Sequence, residues 1–483
     1  MNKKVIAALL VLLCSANSCI RVGPPYRTPK VNNYEEWTQA DNPHISDSDD
    51  SAGTWASVFE DPRLKRLTDL ALAQNYSLKA AAWRICQARA LLQIATGQFF
   101  PQTQQAFGSW ESVGISDHAP NARFADKRFR NALLGFTVAW ELDFWGRYRS
   151  GIDSAEYNYE ASKTDYLGVQ LILITDVAKT YISLCTALAT LDVIKENIRL
   201  QRRSMEIIYV RLEAGLVSEL DLQQAQLLLS NTEAQLPVTE RELVTLQNAL
   251  AVLLGVTSDE IPCIVDYKSL SIPFIPSTVA AGIPANLLDH RPDLIAARQH
   301  ILAQTAIVGV AEADLLPHIS IFGVIGYDAA YGSHLRNTIA NKNLFATKSL
   351  TYIFGPEFNW PLLNYGRLEG RVDLEWARLQ ELVQEYQNLV LQAYQETENA
   401  LIGFIEAYEE KRILEIGVRA GFRAYALSQE LYLEGLVDYE RVLEAQRGLL
   451  NIQDQYVFNN GNIALFYVQI YQALGGTIYA ADN

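Results

Sequence analysis

The chain is written twice, and that constrains its fold more than any other feature. A shift of 220 residues lays Gly135 on Gly355, Trp140 on Trp360, Gly146 on Gly366 and Arg147 on Arg367. The same shift lays Gly215-Leu216-Val217 on Gly435-Leu436-Val437, Ala225-Gln226 on Ala445-Gln446, and Leu254-Gly255 on Leu474-Gly475. Upstream the shift is 216, matching Ala80-Ala81 with Ala296-Ala297 and Pro101 with Pro317, so the difference falls between Pro101 and Gly135. A constant offset across so many Gly and Trp positions marks a duplication. The 483 residues are therefore two copies of one unit rather than several independent domains.

Each copy has the same internal order. A helical segment runs to a proline, Leu64 to Phe100 and then Asn286 to Leu316. Two strand-like stretches follow, about 102–113 and 131–144 in the first copy, 318–328 and 350–360 in the second. Proline-free helical segments then run from Arg147 to Glu213 and from Arg367 to Leu433. Each ends near a Gly-Leu-Val turn, where glycine suits the left-handed position that stops a helix. The returning segments, to 254 and 474, repeat apolar residues in heptads from Leu222 and from Val442, which argues for coiled-coil packing. Thr232, Thr239 and Asn459 are the polar exceptions, and Pro237 is expected to kink the first returning helix.

The strands alternate. Ala132, Leu134, Phe136, Val138, Trp140, Leu142 and Phe144 share one face, while Asn131, Leu133, Gly135, Thr137, Ala139, Glu141 and Asp143 share the other. Tyr352, Phe354, Phe358 and Trp360 oppose Thr351, Gly355, Glu357 and Asn359. The pattern is looser in 318–328 and weak in 103–113. Segments of about ten residues with one apolar, aromatic-rich face fit outer-membrane strands, although a soluble antiparallel sheet alternates in the same way. A spanning sheet must close on itself, because unpaired backbone groups in lipid are costly. Four strands are too few for that, so several chains would have to share one barrel: two for 8 strands, three for 12, four for 16. The external loops would be Ser112 to Arg130 and Ala329 to Lys348.

The N-terminus indicates location. Lys3 and Lys4 precede the apolar run Val5 to Leu13, and small residues lead to Cys19, as in a secretory signal. Ser18 before Cys19 resembles a bacterial lipoprotein signal, in which the cysteine is acylated by fatty chains such as palmitate. Cys86, Cys185 and Cys263 show no disulfide or zinc spacing. The net charge of −15 argues against nucleic acid as a partner. No run of 18 or more apolar residues follows the signal, which argues against membrane-crossing helices.

Taken in order, these parts resemble the TolC-type outer membrane factors, in their lipoprotein (NodT-like, RND efflux) branch. The residues that carry the resemblance are Cys19 with Gly23-Pro24-Pro25-Tyr26-Arg27-Thr28-Pro29, the stretch Trp140 to Arg147, His290 to Arg298, and the ending Ala473 to Gly476. The resemblance spans the mature chain. It implies a mainly α fold with a membrane β-barrel: a homotrimer whose 12-stranded barrel continues into a periplasmic α-helical coiled-coil barrel. The expected segments are a signal peptide (1–18), a lipid-anchored segment (19–63), repeat 1 (64–254, with its hairpin at 147–254), an equatorial linker (255–285), repeat 2 (286–476, with its hairpin at 367–474) and a tail (477–483). Pro101 and Pro317 would mark the helix-to-strand junctions.

The resemblance also implies a role. The chain would be the passive exit duct of a tripartite efflux system for drugs, toxic small molecules or metal ions. It would sit in the bacterial outer membrane, anchored in lipid through Cys19 and extending into the periplasm. A periplasmic adaptor (membrane fusion) protein would contact the tips at Gly215, Leu216, Val217, Gly435, Leu436 and Val437, and an RND-type or other inner-membrane pump would supply energy. Asp221, Tyr432, Arg441 and Glu444 would form the periplasmic gate, with an Asp221–Arg441 pair replacing a carboxylate arrangement. Alternatives are the outer-membrane channel of a type I protein secretion system and a non-conducting periplasmic coiled-coil scaffold. The sequence holds no HExxH, GxGxxG or GxxxxGK motif, so neither an enzyme, a cofactor nor a bound metal is expected.

Overall fold

A computed structural model describes residues 21–31, 36–46, 59, 61–116, 118, 128–265, 270–280, 287–331 and 343–476. Cys19, most of the two external loops, and the tail 477–483 lie outside the described residues. In chain order the elements are β1 (Ile45–Ser46), α1 (Pro62–Gln74), α2 (Tyr76–Phe99), β2 (Thr103–Gly114), β3 (Arg128–Glu141), α3 (Arg147–Glu213), α4 (Glu219–Glu233) and α5 (Gln235–Leu254). They continue with α6 (Ile261–Ile264), β4 (Val279–Ala280), α7 (Leu287–His290), α8 (Pro292–Ala313), β5 (His318–Tyr331), β6 (Leu350–Asn359), α9 (Arg367–Leu433) and α10 (Tyr439–Ala473). The equivalent helices α3 and α9 are both 67 residues long, roughly 100 Å at the helical rise.

The chain divides into two compact units. The first holds Ile85–Ala161 and Ala297–Glu385 with the described part of Met1–Pro29. Its centre is an antiparallel sheet in the order β2-β3-β5-β6. The second holds Lys30–Arg84, Ser162–Ala296 and the described part of Tyr386–Asn483, and is built of helices. In it a short parallel ladder pairs Ile45 with Val279, tying the N-terminal segment to the linker after α6. Two helices, α3 and α8, carry windows apolar enough to cross a bilayer, but much of each window is buried within the chain.

The duplication reappears as matched contacts. In the sheet unit, the Trp140 indole donates to the Phe99 carbonyl, and the Trp360 indole donates to the Leu315 carbonyl, both at 3.1 Å. In the helical unit, Asn75 Nδ2 donates to the Leu253 carbonyl at 2.9 Å, and Arg291 Nη1 donates to the Ala473 carbonyl at 3.1 Å. Gly255 (φ 69°) and Gly475 (φ 86°) close the same corner. A Cβ on either would stand 2.8 Å from a carbonyl oxygen, that of Gln74 or of His290.

The expected helix from Leu64 to Phe100 is in fact two. It breaks at Asn75, whose Oδ1 accepts from the Leu78 N–H at 2.9 Å and so starts α2. The counterpart break between α7 and α8 falls at Arg291. That residue is 8% exposed and paired with Asp293 at 2.7 Å and Glu396 at 2.8 Å. It anchors the end of α10 to the start of α8.

The strand expected at 131–144 leaves the ladder after Glu141. Asp143 is needed elsewhere: its carboxylate accepts from the N–H groups of Tyr148 and Arg149, at 2.9 and 3.1 Å, and caps α3. The first returning helix breaks at Ala234, three residues before Pro237, whereas its counterpart α10 is continuous over 35 residues. Every heptad position in both returning helices is buried or half-buried. The polar Asn459 is held from α9, its Nδ2 donating to the Ala407 carbonyl at 3.1 Å.

One stability test follows. Gly435 also has positive φ, at 73°, but nothing lies within 4 Å of an added Cβ, so alanine there meets backbone strain alone, about 1–3 kcal/mol. Gly475→Ala adds a backbone collision and is expected to lower the unfolding temperature of the purified protein well beyond Gly435→Ala. Equal losses in a thermal melt would contradict the corner contact.

Candidate functional site

Two regions carry the chemistry, a two-faced sheet and the paired helical turns. In the sheet, cross-strand register sorts side chains by polarity. Phe136 faces Ala106 and Ile325, and Ile325 faces Tyr352. The adjacent row holds Val138, Gly323 and Phe354, and Ile319 faces Phe358 two rows further along β5. This face is apolar and bare in the single chain: Phe136 is 42%, Ile325 54%, Tyr352 73% and Phe354 77% exposed. The opposite face carries Gln105, Ser109, Glu111, Thr137, Glu141, Ser320, Glu357 and Asn359. Apolar side chains interrupt it at Leu133, Phe322, Val324 and Ile353 and at Phe107, whose ring lies over Gly135, where no side chain competes.

Charged residues gather where the sheet passes into α3. Glu141 accepts from His318 Nδ1 at 2.9 Å and from the Tyr148 hydroxyl at 3.1 Å. Asp314 pairs with Arg147 at 2.7 Å and Arg371 at 3.2 Å, joining α8 to the starts of α3 and α9. Beside this junction the N-terminal segment is fixed. The Val22 N–H donates to the Trp145 carbonyl at 3.2 Å, and Gly23 packs against Gly309 of α8.

The turns are alike in backbone. The Gly215 N–H reaches the Leu212 carbonyl and the Leu216 N–H the Arg211 carbonyl, both at 2.9 Å; Gly435 and Leu436 repeat this at 3.1 and 2.9 Å. Both glycines are left-handed, as this helix-stop motif requires. Leu216 and Leu436 are left more than 70% exposed. An apolar groove lies between the end of α3 and the start of α4, lined by Met205, Tyr209, Val210 and Leu222 among others.

The four expected gate residues separate into two groups. Asp221 is the third residue of a capping box: it accepts from the Ser218 N–H at 3.0 Å, while Ser218 Oγ accepts from the Asp221 N–H at 3.3 Å. Tyr432 is buried, with its ring 5.4 Å from that of Tyr439, in a cluster with Tyr425, Ile208, Leu228 and Val442. Burial raises the pKa of both hydroxyls, and the nearby Asp221 carboxylate pushes the same way, so both stay neutral. Arg441 and Glu444 stand apart from these. They pair with each other at 3.5 Å on one helix face, more than 70% exposed, so the anticipated Asp221–Arg441 pair does not form within the chain.

Arg211 is the residue that sequence reading missed. It sits in the last turn of α3, and its Nη1 and Nη2 donate to the Tyr432 and Leu433 carbonyls at 2.9 and 2.6 Å. Its guanidinium also lies 4.7 Å from the Tyr432 ring centre. One side chain thus caps the C-terminus of α9, joining the two hairpins. At the counterpart position the second copy has Leu431, so the clamp has no duplicate. That asymmetry was the available signal.

A sheet with an aromatic outer face, feeding two long helical hairpins, defines the class as an outer-membrane channel. The chain is similar to the outer-membrane channel OprN, with TM-score 0.85 and 28% identity over 94% of this chain and 99% of that one. It shares its fold with the CmeC outer membrane channel of Campylobacter jejuni, with TM-score 0.87, 23% identity and 96% coverage of each chain. The family model described as outer membrane efflux protein matches residues 67–256 and 283–476, and the chain belongs to that family. It is 31% identical over 472 residues to the solvent efflux pump outer membrane protein SrpC of Pseudomonas putida, covering 95% of this chain and 96% of SrpC. It is 26% identical over 463 residues to the cation efflux system protein CusC of Escherichia coli O157:H7, covering 94% and 95%. The protein is thus an outer-membrane efflux duct, in a family of channels rather than enzymes.

The clamp makes a local prediction. Arg211→Leu removes two charge-assisted hydrogen bonds, each about 1.5–3 kcal/mol. Hydrogen exchange in the peptide spanning 430–438 is expected to speed up about tenfold or more. Arg202→Leu, which breaks only an exposed pair with Glu233, serves as the reference and should change little.

Proposed function

We propose that three copies of this chain form the duct, joining their sheets into one 12-stranded barrel and their hairpins into a tube that extends into the periplasm. The observation that carries this reading is the sheet itself. It has one bare aromatic face suited to lipid, one mainly polar face suited to water, and two edges that are unpaired among the described residues. Hydrocarbon tolerates such a sheet only when it is closed. Cys19 would be acylated and anchor the chain, and the Val22–Trp145 bond would hold that anchor near the base of the strands.

In this reading the tips serve both gate and partner. Exposed Leu216 and Leu436, with the apolar groove between α3 and α4, suit a periplasmic adaptor carrying a complementary apolar helical tip. The adaptor links the duct to an inner-membrane pump, which supplies the energy. Asp221, held in its capping box with Ser218, and Tyr432, whose carbonyl the Arg211 clamp holds, set the closed arrangement, and opening is a hinge and shear movement of the hairpins about the turns. Because Arg441 and Glu444 neutralise each other, they give the constriction little preference for either sign of ion. The cargo is a small toxic molecule or a metal ion, as the names of SrpC and CusC suggest for those relatives.

Planar-bilayer recording tests the gate. The unmodified protein should conduct weakly, and the double variant Asp221→Ala with Glu444→Ala should conduct several-fold better. A stable assembly that conducts under neither condition would contradict the duct gate.

A further inference from the structure

Where the sheet passes into the helices, the N-terminal segment roofs a cavity of about 360 Å³. Residues 21–26 form the roof, and the walls are the first turns of α3 and the second half of α8. All three belong to the sheet-bearing unit. One bound water needs about 10–15 Å³, so this space suits a group of many atoms. We infer that it binds the head group of an ethanolamine phospholipid, with the phosphate towards Arg21 and the ammonium towards Asp153 and the hydroxyls of Tyr26 and Ser150. The inference rests on the membrane setting proposed above and adds a lipid site to it.

Charge selects the class of ligand. Among the described lining residues only Arg21 and Asp153 are charged, and they have opposite signs. They pair at 2.5 Å with their side chains 47% and 30% exposed, so the pair stands at the rim. A purely anionic head group is opposed by Asp153 and a purely cationic one by Arg21, whereas a zwitterion meets its complement at both ends. An ammonium also brings N–H donors, which a choline group lacks. Acceptors for those donors are present and unused. Ser150 is 1% exposed, and neither its Oγ nor the buried Tyr26 hydroxyl has a hydrogen-bond partner among the described residues. Both residues line the cavity. Thr305, on the α8 wall, differs, because its hydroxyl already donates to the Ile301 carbonyl at 2.8 Å. Buried hydroxyls left unpaired are costly, and a ligand that donates to them removes that cost.

Place favours a lipid as the source. The Val22 N–H donates to the Trp145 carbonyl at 3.2 Å, and a Cβ on Gly146 would stand 2.9 Å from Arg21 Cγ. The rim is therefore level with the corner where the sheet gives way to α3. Asp153 and Tyr157 lie about 9 and 15 Å further along that helix from Arg147. With the strands in hydrocarbon, the cavity begins at the layer that lipid head groups occupy. The roof is closely seated there. A Cβ on Gly309 would stand 3.1 Å from the Val22 carbonyl oxygen, and one on Gly23 would stand 2.9 Å from Gly309 Cα. Cys19 precedes Arg21 by two residues, so its acyl chains would tether the roof to the same membrane surface.

Native mass spectrometry of the full-length protein, extracted in detergent and stripped of lipid, tests the site. Phosphatidylethanolamine, phosphatidylcholine and phosphatidylglycerol of one acyl length are added separately. Phosphatidylethanolamine is expected to bind once per chain, about tenfold more tightly than the other two. Asp153→Asn leaves Arg21 alone at the rim and should turn the preference to phosphatidylglycerol. Tyr26→Phe combined with Ser150→Ala should weaken phosphatidylethanolamine about tenfold. The same double variant should not lower the melting temperature of the lipid-free protein, because the lost hydroxyls have no partner there. Equal binding of the three lipids, or a preference that survives both variants, would overturn the site. Glycerophosphoethanolamine, the same head group without acyl chains, is the second arm, and binding as tight as the lipid's would overturn the membrane source. The same spectra count chains and acyl groups. An acylated three-chain particle without the preference overturns the site and leaves the duct standing. A single chain contradicts the assembly, and the lipid preference is then read from that chain.

Discussion

The assembly proposed for this protein depends on one rule: a peptide group in hydrocarbon must find a hydrogen-bond partner inside the protein. Among the described residues the four-stranded sheet pairs β3 and β5 on both sides and β2 and β6 on one side only, so in a bilayer another chain would have to cover those two edges. The chain's average composition still resembles that of an acidic globular protein.

The helical unit solves a different problem with the same economy of parts. Long hairpins need fixed ends. Asn75 and Arg291 hold the carbonyl ends of the returning helices, and Gly255 and Gly475 let those ends approach the preceding breaks. At the turns the two copies share a backbone but differ in side chains. Arg211 caps the second hairpin from the first, while Leu431 leaves the reverse contact apolar. The resulting seams are unequal.

Much of this architecture was legible in the sequence. Period-two alternation marks β3 and β6, because each has one apolar face and one mainly polar face. The turns are legible because only glycine suits their left-handed backbone. β2 reads weakly because Gly108 and Gln104 stand on its apolar side and Phe107 on its polar side, a reversal intelligible only once Phe107 lies over Gly135. The end of β3 was overextended because Leu142 and Phe144 keep the alternation after the backbone has turned to let Asp143 cap α3. Arg211 and Arg291 were hidden for a common reason: their partners are main-chain carbonyls far away in sequence, which no motif records. The gate residues show the converse limit. Position after a turn placed Asp221 and Arg441 at matching sites, but Arg441 turns to Glu444 on its own helix.

The central claim is that this chain completes its fold only in company. The most direct measurement is the native mass of the detergent-extracted particle, taken with the barrel still folded. The account predicts a particle of three chains, the number that turns four strands into twelve. A folded, monodisperse single chain would contradict it.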